Sequence, residues 1–166
     1  KELVEHKGIT CKCAVGDQKY RIGRDVWLDI LYPVGQQNMI QIIDGDNENN
    51  RSLVIRLRYG NTSVLFTGDI EKEVEDYLSD IYNFRVDILK VAHHGSRTSS
   101  TEAWIEVLRP RIAVIQVGNN MFGHPHPEVE DRLTSQGAMI YRNDRDGAVI
   151  CSFSNGKWNI STMVQN

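Results

Sequence analysis

Hydrophobic and polar positions alternate with period two early in the chain, then give way to short apolar runs separated by helically spaced stretches. Period two predicts half-buried strands, and a period near 3.6 predicts amphipathic helices. On that basis residues 9–15, 19–22 and 26–32 read as strands, with Gly16-Asp17 turning the chain after the first and Pro33 closing the third. Residues 35–50 read as loop, and the polar run Asp44-Gly45-Asp46-Asn47-Glu48-Asn49-Asn50 as its solvated part. A calcium loop there lacks the bidentate glutamate at the required distance. Residues 52–58 and 63–66 flank Gly60-Asn61 as a hairpin. Helices are expected over 71–82, from Ser99 or Ser100 through Arg109, and from Pro127 or Glu128 to about Ser135. Pro127 suits a helix start, and Gly137 a helix stop. Short apolar strands are expected over 86–91, 112–117, 139–142, 148–153 and 158–161. Strands alternating with helices after an opening set of hairpins indicate a layered α/β fold with a mixed sheet.

Composition narrows the classes. The 166 residues suit one domain or part of one, with 40% hydrophobic and 25% charged residues. The net charge of −3 is unlike a domain that coats nucleic acid, which carries a basic face. It leaves room for a metal-dependent phosphodiesterase, where bound cations supply positive charge. No apolar run reaches the roughly 18 residues of a membrane span, and no signal-peptide pattern opens the sequence. Cys11 and Cys13 share one strand face and Cys151 sits in another apolar strand, so all three read as small buried thiols.

Three clusters at strand ends carry candidate chemistry. Thr67-Gly68-Asp69 puts a carboxylate after an apolar strand, where it could bridge two cations; Gly-Asp is also common turn chemistry. His93-His94-Gly95-Ser96 leaves another strand with two adjacent imidazoles, suited to zinc or manganese or to moving protons, or simply exposed. Ser96, Ser99 and Ser100 offer hydroxyls for a phosphate. Gly123-His124-Pro125-His126-Pro127 holds two histidines in a proline-stiffened loop before a helix N-terminus, which favours anions. A Ser-His-Asp nucleophile fits by residue type but lacks the Gly-x-Ser-x-Gly elbow.

Taken in order, Asp29-Ile30-Leu31-Tyr32-Pro33, Asn49-Asn50-Arg51-Ser52-Leu53-Val54-Ile55-Arg56-Leu57, Leu65-Phe66-Thr67-Gly68-Asp69, Asp87-Ile88-Leu89-Lys90-Val91-Ala92-His93-His94-Gly95-Ser96, Gly123-His124-Pro125-His126 and Tyr141-Arg142-Asn143-Asp144 resemble the C-terminal metallo-β-lactamase-like domain of ComEC-type DNA-uptake competence proteins. The resemblance runs from about residue 25 to residue 153. It implies an αββα sandwich, largely its C-terminal half, with a mixed sheet and flanking helices. It implies two divalent metal ions, zinc or manganese, with Asp69 as the bridging ligand and His94 as a further ligand. His93 is then a catalytic or substrate-contacting group, and the two histidines could exchange roles. Ser96, His124 and Lys90 become the candidates to bind substrate phosphate, although Lys90 could equally point outward. The implied activity is a metal-dependent hydrolase or phosphodiesterase processing DNA during uptake. A secreted metallo-hydrolase acting on a cell-surface phosphoester and a non-catalytic binding module are the alternatives.

The sequence departs from that family in one respect. The early His-x-His-x-Asp-His motif, which supplies most metal ligands, is missing, and His6 stands alone near the start. The expectation is therefore a single partial domain over residues 1–166 whose upstream half carries the motif, and a fragment inactive by itself. Its expected partners are that upstream half, the membrane channel region of a parent protein at the extracytoplasmic face of a bacterial membrane, DNA, and a second copy of the fragment.

Overall fold

The computed structural model describes residues 6–11, 13–35 and 47–164. Among these, β1 (Lys19–Arg21), β2 (Val26–Tyr32), β3 (Val54–Tyr59) and β4 (Thr62–Phe66) form an antiparallel meander. Then α1 (Lys72–Ile81), α2 (Glu102–Leu108) and α3 (Pro127–Ser135) alternate with β5 (Ile88–Lys90), β6 (Ile112–Ile115) and β7 (Met139–Arg142). The strands from β4 to β7 run parallel, with Val64 opposite Ile88, Leu89 opposite Ala113 and Ala113 opposite Ile140. Strand order in this mixed sheet follows chain order throughout. One turn of helix, α4 (Asn143–Asp146), leads to a separate hairpin of β8 (Val149–Ser154) and β9 (Lys157–Thr162).

The pleat explains how the layers assemble, because successive side chains point to opposite faces. Leu65, Leu89, Ala113 and Ile115 point to one face, where they meet Val74 and Leu78 of α1, Trp104, Ile105 and Leu108 of α2, and Val129 and Leu133 of α3 in one buried core. These helical residues recur at spacings of three and four, so each helix turns one apolar stripe to the sheet. Leu57, Val64, Ile88 and Val114 point the other way. They line a cavity of about 310 Å³ closed from above by Val149, Cys151 and Trp158 of the hairpin. Trp158 Nε1 donates to Thr62 Oγ1 at 2.8 Å and pins the hairpin to β4. The result is the expected α/β sandwich: helices on one face, a mixed sheet, and a second, smaller sheet.

Two expectations need correction. Residues 9–11 and 13–15 form no strand and pair with none among the described residues; alternation alone does not make a strand. Cys11 and Cys13 are accordingly exposed rather than buried, and Cys151 is half-buried under the hairpin. Helix α4 was absent from the sequence reading, since Asn143-Asp144-Arg145-Asp146 has no apolar period. Side chains close it instead: Asp146 Oδ2 accepts from the Arg142 amide at 2.7 Å, and Asn143 Nδ2 donates to the Gly147 carbonyl at 2.7 Å. Asp44, Gly45 and Asp46, read as part of a solvated loop, lie outside the described residues. Among the described residues, no helix is long and apolar enough to cross a membrane.

Candidate functional site

Open α/β sheets place their sites beyond the carboxyl ends of parallel strands. Here those ends deliver Asp69 after β4, His93 and His94 after β5, the loop from Gln116 to His126 after β6, and Asn143 after β7.

The turn after β4 is built around Gly68, whose φ is +58°. A Cβ there would fall 2.6 Å from Ser52 Cβ, so only glycine lets the turn sit against Ser52. Ser52 Oγ in turn accepts from the Asp69 amide at 2.9 Å. Lys90, on β5, reaches across the strand ends: its ammonium donates to the Gly68 carbonyl at 2.7 Å and lies 3.5 Å from Asp69 Oδ1. Burial pulls the Lys90 pKa below its ordinary value, against the pull of the Asp69 carboxylate. Lys90 thus points inward, onto the candidate carboxylate.

After β5 the backbone winds left-handed through His93 (φ 45°), His94 (φ 55°) and Gly95 (φ 80°). Two non-glycine residues in this region cost of order 1–3 kcal/mol each and persist only where surroundings fix them. The fixing contacts are the His93 amide to the Gly68 carbonyl at 3.3 Å and the His126 amide to the Gly95 carbonyl at 2.9 Å. Pro125 packs so closely over Gly95 that a Cβ there would lie 2.6 Å from Pro125 Cβ. The three clusters are therefore locked to one another through their backbones.

This geometry gathers the imidazoles. The His93 ring centre is 6.3 Å from that of His94 and 5.6 Å from that of His124, and His124 is 5.2 Å from His126. His94 Nδ1 lies 2.6 Å from the Gln116 carbonyl. A carbonyl only accepts, so Nδ1 donates to it, the arrangement of a ligating imidazole held by its other nitrogen. His93 Nδ1 lies 3.1 Å from Glu71 Oε1, but off the line of a well-formed hydrogen bond, and is buried. The His124 pKa is lowered, first by burial and then by the charges of His126, His93 and His94. A cleft of about 480 Å³ opens beside His94 and His124, with Gln116, Asn120, Phe122 and Asn143 in its wall.

Of the residues singled out in the sequence, Asp69, Lys90, His93, His94 and His124 share this edge. Ser96 is buried within its own turn, where its Oγ lies 3.0 Å from Thr98 Oγ1. Glu71 is not among the residues singled out in the sequence. Asn47 and Asn49 each donate to its carboxylate at 3.0 Å, and it faces His93. Burial raises the Glu71 pKa, but hydrogen bonds from Asn49, Asn47 and Thr98 together with His93 outweigh it and hold the group below its ordinary value.

Among the described residues, no three His, Cys, Asp or Glu side chains come together as a metal cage. The Lys90 ammonium also stands where a cation on Asp69 Oδ1 would approach. Asp69 and His94 are a part-set of donors and do not by themselves fit a two-metal centre.

Comparison with known proteins agrees with the fold. Residues 40–118 match the metallo-beta-lactamase superfamily. A metal-dependent hydrolase assignment from Parabacteroides distasonis superposes with a TM-score of 0.51 at 15% identity, over 86% of this chain and 61% of that one. CmlA, a diiron beta-hydroxylase from Streptomyces venezuelae, gives 0.52 at 14% identity, over 86% of this chain and 35% of that one. At such identities the likeness is one of fold. Fold and sequence match together make this a metallo-β-lactamase-fold chain. The proteins it is similar to in sequence include ones named for competence. It is 38% identical over 114 residues to ComE operon protein 3 of Bacillus subtilis, covering 68% of this chain and 15% of that protein. It is 33% identical over 106 residues to competence protein ComA of Neisseria gonorrhoeae, covering 62% and 15%. It is 35% identical over 107 residues to recombination protein 2 of Haemophilus influenzae, covering 64% and 14%. The chain thus spans only about 15% of the length of the curated relatives it matches.

Proposed function

We propose that this chain supplies one part of the catalytic edge of a metal-dependent hydrolase domain, a phosphodiesterase that processes DNA during uptake by a ComEC-type competence protein. The observation that carries the reading is the locked convergence of Asp69, His93, His94 and His124 beyond the carboxyl ends of parallel strands, with His94 held through its Nδ1.

In this reading Asp69 and His94 are donors to divalent cations whose other ligands come from outside the described residues, in an upstream half of the same domain. The Ser52 hydroxyl and the Lys90 ammonium orient Asp69. His93, held against Glu71, is positioned to take or give a proton, and His124 to meet a phosphate oxygen across the cleft. DNA as substrate, a membrane-channel parent and an extracytoplasmic site are part of this proposal, and the likeness to competence proteins supports them.

The test compares this chain with a form extended upstream, each assayed for bound zinc and manganese and for cleavage of single- and double-stranded DNA. The extended form should bind metal and cleave, and Asp69→Ala should abolish both. An extended form that carries an upstream His-x-His-x-Asp-His motif yet stays metal-free and inert would overturn the reading.

A further inference from the structure

The loop that walls the cleft is stiff, yet it shows its two largest apolar side chains to solvent: Met121 is 100% exposed and Phe122 77%. Asn120 supplies the stiffness by using its whole side-chain amide within the loop. Its Nδ2 donates to the Gly118 and His124 carbonyls, each at 2.9 Å. Its Oδ1 accepts from the Phe122 amide at 3.0 Å and the His124 amide at 3.1 Å. A loop with this many internal bonds does not leave Phe122 outside for want of order. The ring is presented, tilted 30° from the His124 ring with centres 5.8 Å apart. Beyond His124 the row continues to His126 and to Arg97, whose Nη2 lies 3.4 Å from His126 Nδ1.

We propose that Phe122 is a stacking platform for one base of a single-stranded nucleic acid whose backbone passes His124 and His126 toward Arg97. This rests on the DNA reading above and adds a subsite to it. Single-strand binders combine an aromatic face for the base with cationic groups along the backbone, and the row from Phe122 to Arg97 sets an aromatic face and a guanidinium along one rim, with two imidazole rings between them. Gln116 in the adjoining wall brings a side-chain amide of the kind that reads base edges. A membrane-inserting loop is the competing use of an exposed Met-Phe pair. It calls for basic residues beside the apolar ones, and residues 116–124 contain no Lys or Arg.

The test titrates the full chain, without metal, with a short fluorescein-labelled oligothymidylate and with an abasic strand of equal length. Phe122→Ala should weaken oligothymidylate binding on the order of tenfold and leave the abasic strand unaffected. Phe122→Trp should restore binding, with its indole emission quenched by oligothymidylate only. Because the ring is exposed, thermal unfolding of Phe122→Ala should match wild type. Equal binding by wild type and Phe122→Ala, no binding by wild type, an equal loss on the abasic strand, or indole emission responding to phosphatidylglycerol vesicles and not to oligothymidylate would each overturn the proposal. Cleavage by the extended form separates this inference from its parent. Binding that depends on Phe122 without any cleavage sinks the hydrolase reading alone. Cleavage and binding both indifferent to Phe122 sink the platform alone.

Discussion

Replacing Gly68 by alanine tests how the Asp69 turn is built. Two costs add. An L-residue at φ +58° pays about 1–2 kcal/mol for left-handed backbone. The new methyl also falls 2.6 Å from Ser52 Cβ and 2.9 Å from Ser52 Oγ, and forced overlap of this kind costs about 1–3 kcal/mol. The sum is a loss of about 2–5 kcal/mol, measurable as a lower urea midpoint at unchanged slope. Partner substitutions then separate the two costs. Ser52→Gly removes the obstructing Cβ and should recover the steric part in the Gly68→Ala background, while Ser52→Ala keeps that Cβ and should recover almost none. Both remove the hydroxyl that accepts from the Asp69 amide, so that loss cancels between them. The expected difference in coupling is above about 1 kcal/mol, well beyond the additivity error of distant sites. A Gly68→Ala variant within about 0.5 kcal/mol of wild type, or equal rescue by the two Ser52 substitutions, would refute the close-approach argument.

Two further outcomes can be checked the same way. Glu75 is buried under the start of α2, where its carboxylate accepts from the Ser100 amide at 2.6 Å and the Thr101 amide at 2.7 Å, and burial lifts its pKa to about 7 despite those bonds and the nearby Arg132. A folded-state pKa above the unfolded value means the stability is fully present below about pH 4.5 and is lost as pH rises through about 7. The stability difference between wild type and Glu75→Gln should therefore shift against wild type across that window in urea titrations, and a flat difference would refute it. Asn120→Ala should cost about 1–3 kcal/mol and speed amide exchange at Phe122 and His124, whose N–H groups lose their acceptor; protection unchanged at both would show that the loop is held by something else.

What the sequence could show follows from the range of the forces involved. Asp69, His93 and His94 were legible because each comes soon after an apolar strand, His124 because it stands in the proline-stiffened loop after another, and parallel strands deliver their ends to one edge. The long helices were legible from Val74 and Leu78, or Val129 and Leu133, spaced three or four apart. Contacts between side chains distant in sequence were not. Asn47 and Asn49 looked like solvated loop, yet they grip Glu71 from more than twenty positions away. Lys90 gave no sign of direction until the neighbouring strand placed Gly68 beside it. Residues 9–11 and 13–15 had the right alternation and, among the described residues, no partner strand. Asn120 was hidden for a different reason: its four bonds are local, but turn asparagines are common and nothing in the residue order tells a hub from an ordinary turn.

The order of the large sheet has a consequence for how the chain comes together. Each strand from β1 to β7 pairs with its neighbours in sequence. The sheet can thus grow by one edge, each new strand adding to a template already present as synthesis proceeds from the N-terminal side. No strand waits for a distant partner, which keeps the loop-closure cost of each step small. The exception is the hairpin: Trp158 must return across 96 positions to find Thr62. Until β8 and β9 dock, the apolar face of Leu57, Val64 and Val114 stands open to any chain that reaches it first.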